Sequence, residues 1–211
     1  MYTVKEIFYS LQGEGARSGR PAVFCRFSGC NAWSGREQDK ADSACPFCDT
    51  DFVGINGQNG GKYETKALVE KILSLWPEDN NAKAKPYIVF TGGEPLLQLD
   101  DQLVQLMKAN NFEVAVETNG SLEVPEGIDW ICVSPKKSLQ QMVVSGQELK
   151  LLYPQTELLP ELFIGQAFDH FFLQAIDDEN YTDNVNKTVD YCLNHPQWSY
   201  SFQLHKLLKI D

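Results

Sequence analysis

"KPYIVFTGGEPLLQLDDQLVQLMKAN", residues 85–110, holds two periodicities separated by a turn. Residues 85–93 are a short apolar run that ends in two glycines, the pattern of a buried strand. Across 95–110 the apolar positions Leu99, Leu103, Leu106 and Met107 recur at helical spacing, and Pro95 stands near the start, where a helix tolerates it. A strand turning into an amphipathic helix is half of a βαβ unit. Similar runs lie on both sides of it: 21–27, 112–120, 128–135, 147–153 and 170–176 read as strands. Residues 65–76, roughly 155–163, and 182–195 read as helices, the last with Val185, Val189 and Leu193 as its apolar stripe and Asn194 and Pro196 at its end. Alternation of strand and helix implies parallel strands joined by right-handed crossovers. The expected fold is therefore α/β, an open, incomplete TIM-type barrel of about six parallel strands with outer helices, in a single domain over 1–211. The Gly- and Asn-rich 54–62 and most of 31–44 are expected to be loops.

The remaining composition narrows the partners. A 211-residue chain with 43% hydrophobic and 22% charged residues can bury a sizeable core and lacks the polarity of a disordered chain. Its 29 acidic against 18 basic residues, net −11, disfavour nucleic acid and anionic membrane as partners and point to small-molecule chemistry. The opening "MYTVKEIFYSLQGEG" has no basic segment followed by an apolar one, and no run of about eighteen apolar residues occurs, so neither secretion nor membrane spanning is expected. Six cysteines, half of them clustered, fit a reducing compartment, the cytoplasm.

That cluster lies in "GCNAWSGREQDKADSACPFCDT", residues 29–50: Cys30, then fourteen residues, Cys45, two residues, Cys48. Cys-x2-Cys alone serves zinc knuckles, redox pairs and iron–sulfur proteins alike. A closed zinc site wants four ligands, and Cys25, Cys132 and Cys192 read as packing residues in strands and a helix. Three thiols suffice for three irons of a cubane and leave the fourth iron open to a ligand that is not protein.

With Phe47 before the last cysteine and "TGGEP" (91–95) at the end of an apolar strand, the chain resembles radical S-adenosylmethionine enzymes. Their usual spacing is Cys-x3-Cys-x2-Cys; here the first interval is expanded, so 31–44 stands as a cluster-loop insertion, expected to cap the cluster. The resemblance implies the radical SAM fold, a 4Fe-4S cluster on Cys30, Cys45 and Cys48, and S-adenosyl-L-methionine chelating the open iron through its amino and carboxylate groups. Glycines 92 and 93 allow close backbone approach, and Glu94 offers an acceptor for the ligand's ammonium. Polar groups recur after successive strands, Glu117 and Asn119 in "ETNG" and Ser134 and Lys136 in "VSPK", where the family binds the cofactor's ribose and carboxylate; each could also be a turn signal. Phe47, Asp49, Gly93 and Gln174 complete the implied cofactor set.

"FYSLQGEG" (8–15), "CRFSGC" (25–30) and the terminal "FQLHKLLKID" (202–211) are similar to the 7-carboxy-7-deazaguanine synthase family over nearly the full length. That resemblance implies contraction of 6-carboxy-5,6,7,8-tetrahydropterin to 7-carboxy-7-deazaguanine with loss of ammonia, by hydrogen abstraction from C6, in queuosine and deazapurine synthesis. A pterin shows a 2-amino group beside a ring N–H, two donors that suit a carboxylate, and Glu14 is the expected partner, framed by Gln12, Gly13 and Gly15. Arg26 suits the substrate carboxylate by its planar fork. Thr91, Gly92, His205 and Asp211 fall in with the implied substrate contacts. The family uses magnesium; Thr50 matches the ligand position, with Asp49 and Asp51 as chemically conventional alternatives. An electron donor such as flavodoxin or ferredoxin and a homodimer are implied as well. Two other readings compete: a glycyl-radical-type activating enzyme, for which no ferredoxin-like insert is visible, and a zinc-stabilised binding module without catalysis.

Overall fold

The computed structural model describes residues 1–77 and 84–210. Its strands are β1 (Tyr2–Leu11), β2 (Pro21–Phe27), β3 (Gly61–Tyr63), β4 (Tyr87–Gly92), β5 (Glu113–Thr118), β6 (Trp130–Val133), β7 (Ser145–Tyr153), β8 (Ala167–Ala175) and β9 (Ser199–Tyr200). The helices are α1 (Thr65–Leu75), α2 (Asp101–Ala109), α3 (Tyr181–Asn194) and α4 (Leu204–Leu208). One sheet carries all nine strands in the order β3-β1-β2-β4-β5-β6-β7-β8-β9. From β2 to β9 every pair is parallel, so the six strands read from the sequence are the parallel body of the fold, with two-residue β9 added at the end.

Several expectations need correction. Residues 2–11 form a strand antiparallel to β2 and second from the margin of the sheet, hidden in the sequence because Lys5 and Glu6 interrupt its apolar pattern. The register shifts between Val4 and Glu6, and a bulge there turns Lys5 inward. Its ammonium, otherwise unaffordable in a core, is held by Asp51 Oδ2 (2.6 Å), Val53 O (3.0 Å) and Asn56 Oδ1 (2.9 Å). The expected loop 54–62 ends in β3, which pairs with β1. Strand and helix do not alternate strictly: the connections 119–129 and 134–144 contain no helix. Only a 3-10 turn, Pro160–Leu162, occupies the helix expected near 155–163, because Pro154 and Pro160 each lack an N–H and disfavour helix before them. The helix read over 95–110 is a 3-10 turn at Pro95–Leu97 followed by α2, which starts where the Asp100 carboxylate accepts from Leu103 N at 2.9 Å. In α3 the buried face is Asn184 and Thr188, not the Val189 and Leu193 stripe, which faces outward.

Alternate residues of each strand face opposite sides, and this sorts the molecule into layers. Val23, Cys25, Ile88, Phe90, Val114 and Val116 point outward to pack on α1 and α2 through Leu68, Ile72, Leu103 and Met107. A second outer core joins Leu149, Leu151 and Leu173 with Phe163 and Trp198. On the inner side, Phe8, Phe24, Tyr87, Val89 and Ala115 fill the floor. There the Arg17 guanidinium lies 4.0 Å from the Trp130 ring centroid. Above this floor, toward the carboxyl ends of the parallel strands, the inward positions become polar, as ligand sites in such folds require.

Candidate functional site

The inner side of the sheet opens as a cleft of about 1030 Å³ at the carboxyl ends of β4, β5, β6, β7 and β8. Cys30, Cys45 and Cys48 line it together, with Phe47, Thr91, Gly92, Gly93, Glu117, Asn119, Ser134, Lys136 and Gln174. The cysteine loop and "TGGEP", far apart in sequence, are in direct contact. A Cβ placed on Gly93 would sit 2.6 Å from Cys30 Cβ, and Glu94 N donates to Gly29 O at 3.0 Å. Gly92, at φ 152°, lets β4 close on β2, since a Cβ there would lie 2.5 Å from Phe27 O.

All six cysteines are free thiols. Burial and then the thiol of Cys45 act on the trio in opposite senses. Cys30 is raised chiefly by burial, whereas Cys48, accepting from Cys45, is lowered to about 6. The bond to Cys48 and then burial push the Cys45 thiol well up, Lys136 favours the thiolate at both Cys45 and Cys48, and Ala32 N donates to Cys30 Sγ at 3.3 Å. Among the described residues no three His, Cys, Asp or Glu side chains close on one point, as a single zinc ion requires. Thiols spread around a cleft, with a cation and N–H donors beside them, fit the wider cubane held by thiolates. Insertion 31–44 is turn-rich, and it is held by Trp33 packed edge-on to Phe52 (5.6 Å) and Lys40 over the Trp33 ring.

Glu94 is placed differently from a free acceptor. It is 0% exposed, and its carboxylate takes Leu96 N (2.9 Å), the Thr118 hydroxyl (2.7 Å) and Asn119 N (2.7 Å). Burial raises its pKa against those three donors. It does not line the cleft; what it fixes is the end of β5, where Asn119 in turn donates to Asn31 Oδ1 at 2.8 Å. Lys136 Nζ folds back on Ser134 O and Oγ, at 2.8 and 2.7 Å.

A second compartment of about 1020 Å³ adjoins the first and shares Glu14, Asp49, Thr50, Thr91, Glu117 and Gln203 with it. Gln12, Gly13, Arg26 and His205 line it too, whereas Gly92 lines the first cleft and Gly15 neither. Asp211 lies outside the described residues. Gln12 donates to Glu117 Oε1 (2.8 Å), tying β1 to β5. Gly13 accepts from Leu204 N (2.8 Å) and leaves room for His205, whose Cγ would lie 3.1 Å from a Cβ there. Arg26 donates Nε–H to Glu6 Oε1 (2.8 Å), and among the described residues its Nη groups make no other hydrogen bond.

Glu14 is held on several sides. Its Oε2 pairs with the buried Lys150 ammonium, and Oε1 accepts from Gln174 Nε2 (3.1 Å) and Gln203 Nε2 (3.3 Å). Burial opposes its ionisation, and the Lys150 charge outweighs burial, holding the carboxyl below its ordinary range. Asp49 accepts from Lys206 Nζ (2.8 Å), which also binds Asp177 (2.6 Å) and so fastens α4 across the mouth. Asp51 is taken by Lys5. Thr50 keeps its hydroxyl free of described partners, with its carbonyl near Cys48 Sγ.

Sequence reasoning passed over Lys150, Gln203, Lys206 and Cys132. Lys150 and Glu148 alternate with Leu149 and Leu151 on β7, and a charged pair at period two within an apolar strand was the available signal. Cys132, expected only to pack, lines the cleft and donates its thiol to Glu148 Oε1 at 3.4 Å. Cys25 is fully buried in the outer core, as expected.

No model of a known protein family matches the chain. Curated relatives do: the 7-carboxy-7-deazaguanine synthase of Bordetella pertussis is 55% identical over 210 residues, 99% of each chain. The enzyme of that name from Bradyrhizobium diazoefficiens is 52% identical over 99% of each. Among solved structures, the crystal structure of QueE from Escherichia coli superposes with a TM-score of 0.69 at 26% identity, covering 97% of this chain and 94% of that one. The chain belongs to the 7-carboxy-7-deazaguanine synthase family.

Proposed function

We infer that the chain catalyses the radical ring contraction of 6-carboxy-5,6,7,8-tetrahydropterin to 7-carboxy-7-deazaguanine with release of ammonia, an early step toward queuosine and other deazapurines. The observation that carries this is the 55% identity spread over 99% of both chains. Cys30, Cys45 and Cys48 hold a 4Fe-4S cluster, and the cleft around Gly92, Gly93, Glu117, Asn119, Ser134 and Lys136 holds S-adenosyl-L-methionine. When bound and reduced, that pair supplies a 5′-deoxyadenosyl radical able to take hydrogen from C6 of the pterin.

The protein's own residues bind, orient and exclude water. Glu14, ionised against Lys150, accepts the paired donors of the pterin edge; the Gln203 contact, longest of its three at 3.3 Å, is the one the pterin replaces. Arg26, steadied through Nε by Glu6, turns its two Nη groups to the substrate carboxylate. His205 on α4 covers the opposite side, and the Lys206 bridge to Asp49 and Asp177 keeps α4 in place. Thr50 would hold magnesium: Asp49 and Asp51 are engaged by Lys206 and Lys5, whereas the Thr50 hydroxyl has no described partner.

A small redox protein such as flavodoxin or ferredoxin supplies the electron. A homodimer belongs to the same family reading. No described helix is long and apolar enough to cross a membrane, which agrees with a cytoplasmic site. The test is anaerobic reconstitution followed by incubation with the carboxytetrahydropterin, S-adenosyl-L-methionine, magnesium and dithionite. The expected products are 7-carboxy-7-deazaguanine and ammonia; cleavage of S-adenosyl-L-methionine with no deazapurine formed would refute the substrate.

A further inference from the structure

β7 carries two ionisable side chains on its inward face, Glu148 and Lys150, 3% and 6% exposed, on a strand whose outward residues Leu149 and Leu151 are core. Burying such a pair seldom stabilises a fold, and apolar residues of like size commonly do as well or better. Their contacts show another use. Lys150 pairs with Glu14 Oε2. Two residues earlier, Glu148 Oε2 accepts the backbone N–H of Ala16 at 3.1 Å, while its Oε1 takes the Cys132 thiol. Between these grips lies Gly15, at φ 63°, flat on the Glu148 carboxyl: a Cβ there would fall 2.5 Å from both Cδ and Oε2. The Gly15 N–H is satisfied by Ser201 Oγ at 3.1 Å. Residues 14–16 are thus seated on one strand, side chain by one charge and backbone by the other.

We propose that Glu148 and Lys150 are positioning residues for the known reaction, a seat on β7 that sets Glu14 at the angle and depth where it reads the pterin edge. The inference rests on the reading of Glu14 as that contact. Lys150 holds the far side of the Glu14 carboxylate and leaves lone pairs toward the second compartment. Glu148 stops the Gly15–Ala16 turn from rising into it. Losing one hydrogen bond between the Glu14 carboxylate and the pterin is enough to weaken binding about tenfold to a hundredfold.

The experiment uses the reconstituted holoenzyme under anaerobic conditions, loaded with S-adenosyl-L-methionine and without reductant, so that binding is measured in the absence of turnover. Calorimetry gives the Kd of the carboxytetrahydropterin, and separately of S-adenosyl-L-methionine, for the parent and for Lys150→Met, Glu148→Leu, Glu148→Gln and Glu14→Gln. Lys150→Met and Glu148→Leu are expected to weaken the pterin about tenfold to a hundredfold. S-adenosyl-L-methionine, whose cleft Lys150 and Glu14 also line, should be weakened clearly less than the pterin in both. Glu148→Gln, which keeps an oxygen for Ala16 N–H, is expected to restore pterin affinity to within about threefold of the parent. Should Glu148→Leu not fold, Lys150→Met decides. Parent-like pterin binding in Lys150→Met, or an equal loss for both ligands, overturns the seat. If Glu14→Gln weakens the pterin and the β7 variants do not, only the seat is wrong; if Glu14→Gln binds like the parent, the underlying reading of Glu14 falls with it.

Discussion

Replacing Gly93 by Ala is the sharpest probe of how the two cofactor motifs meet. The added Cβ would lie 2.6 Å from Cys30 Cβ and 2.8 Å from Gly29 C, where ordinary contact begins at 3.4 Å. Cys30 and the end of β4 must therefore separate by at least about 0.8 Å, the difference 3.4 − 2.6, and Gly29 O, nearer still, must give by more. The obstacle is backbone and a short side chain, and the bond from Glu94 N to Gly29 O resists the movement. Overpacking of this kind costs about 1–3 kcal/mol. For a chain of this size each kcal/mol lowers Tm by about 2–4 °C, so a fall of about 2–12 °C is expected in the metal-free protein. Displacing Cys30, one of the three proposed cluster ligands, should also reduce iron and acid-labile sulfide after anaerobic reconstitution. Gly165→Ala is the control, because nothing lies within 4 Å of its Cβ position. A Gly93→Ala protein that melts with the parent and takes up a full iron complement would show that the contact between the motifs places nothing.

Three further outcomes follow from the same geometry. Cys30→Ala, Cys45→Ala and Cys48→Ala should each lose the cluster's visible absorption, whereas Cys25→Ala, in the outer core, should keep it at some loss of stability; a full iron content in Cys45→Ala would remove it from the ligand set. Arg26→Ala should abolish the preference for a carboxylated over a decarboxylated pterin, a coupling on the order of 2–5 kcal/mol for a desolvated charge pair, and an unchanged preference would displace Arg26 from the substrate carboxylate. Glu113 is held below its ordinary pKa: burial opposes this, and the hydrogen bonds and charges of Arg20 (2.6 Å) and Arg17 outweigh it. The stabilisation is present above the unfolded value near 4.5 and is lost as pH falls through the lower folded value. Melting curves of Glu113→Gln should therefore decline less steeply than the parent's below about pH 4.5, and parallel curves would refute the linkage.

The parallel body of the fold was readable because β2, β4 and β6 are apolar on both faces over most of their length, while β5, β7 and β8 keep apolar runs despite polar positions such as Glu148 and Lys150. β1 was not, since a bulge and an internally bonded Lys5 break its pattern, and antiparallel strands outside the βαβ body owe their place to pairing that local composition does not record. α3 misled for the opposite reason. Asn184 and Thr188 are buried because each has a partner, Ile176 O at 3.0 Å and Asn184 O at 2.6 Å, and a hydrophobic stripe then faces outward. The site followed the same division. Cysteines and glycines were legible, because few residues can replace a thiolate or a missing Cβ. Glu94 showed its position and not its partners, and Lys150 and Lys206 were silent because a lysine's use depends on which carboxylate folding brings to it.

The wall between the two compartments is held in common: Glu14, Asp49, Thr50, Thr91, Glu117 and Gln203 face both. Occupants on either side of such a wall exchange free energy, and thermodynamics makes the exchange symmetrical. Whatever factor S-adenosyl-L-methionine applies to the Kd of the pterin, the pterin must apply to the Kd of S-adenosyl-L-methionine. An apparent order of binding would then reflect rates and concentrations, while the equilibrium itself has no first ligand.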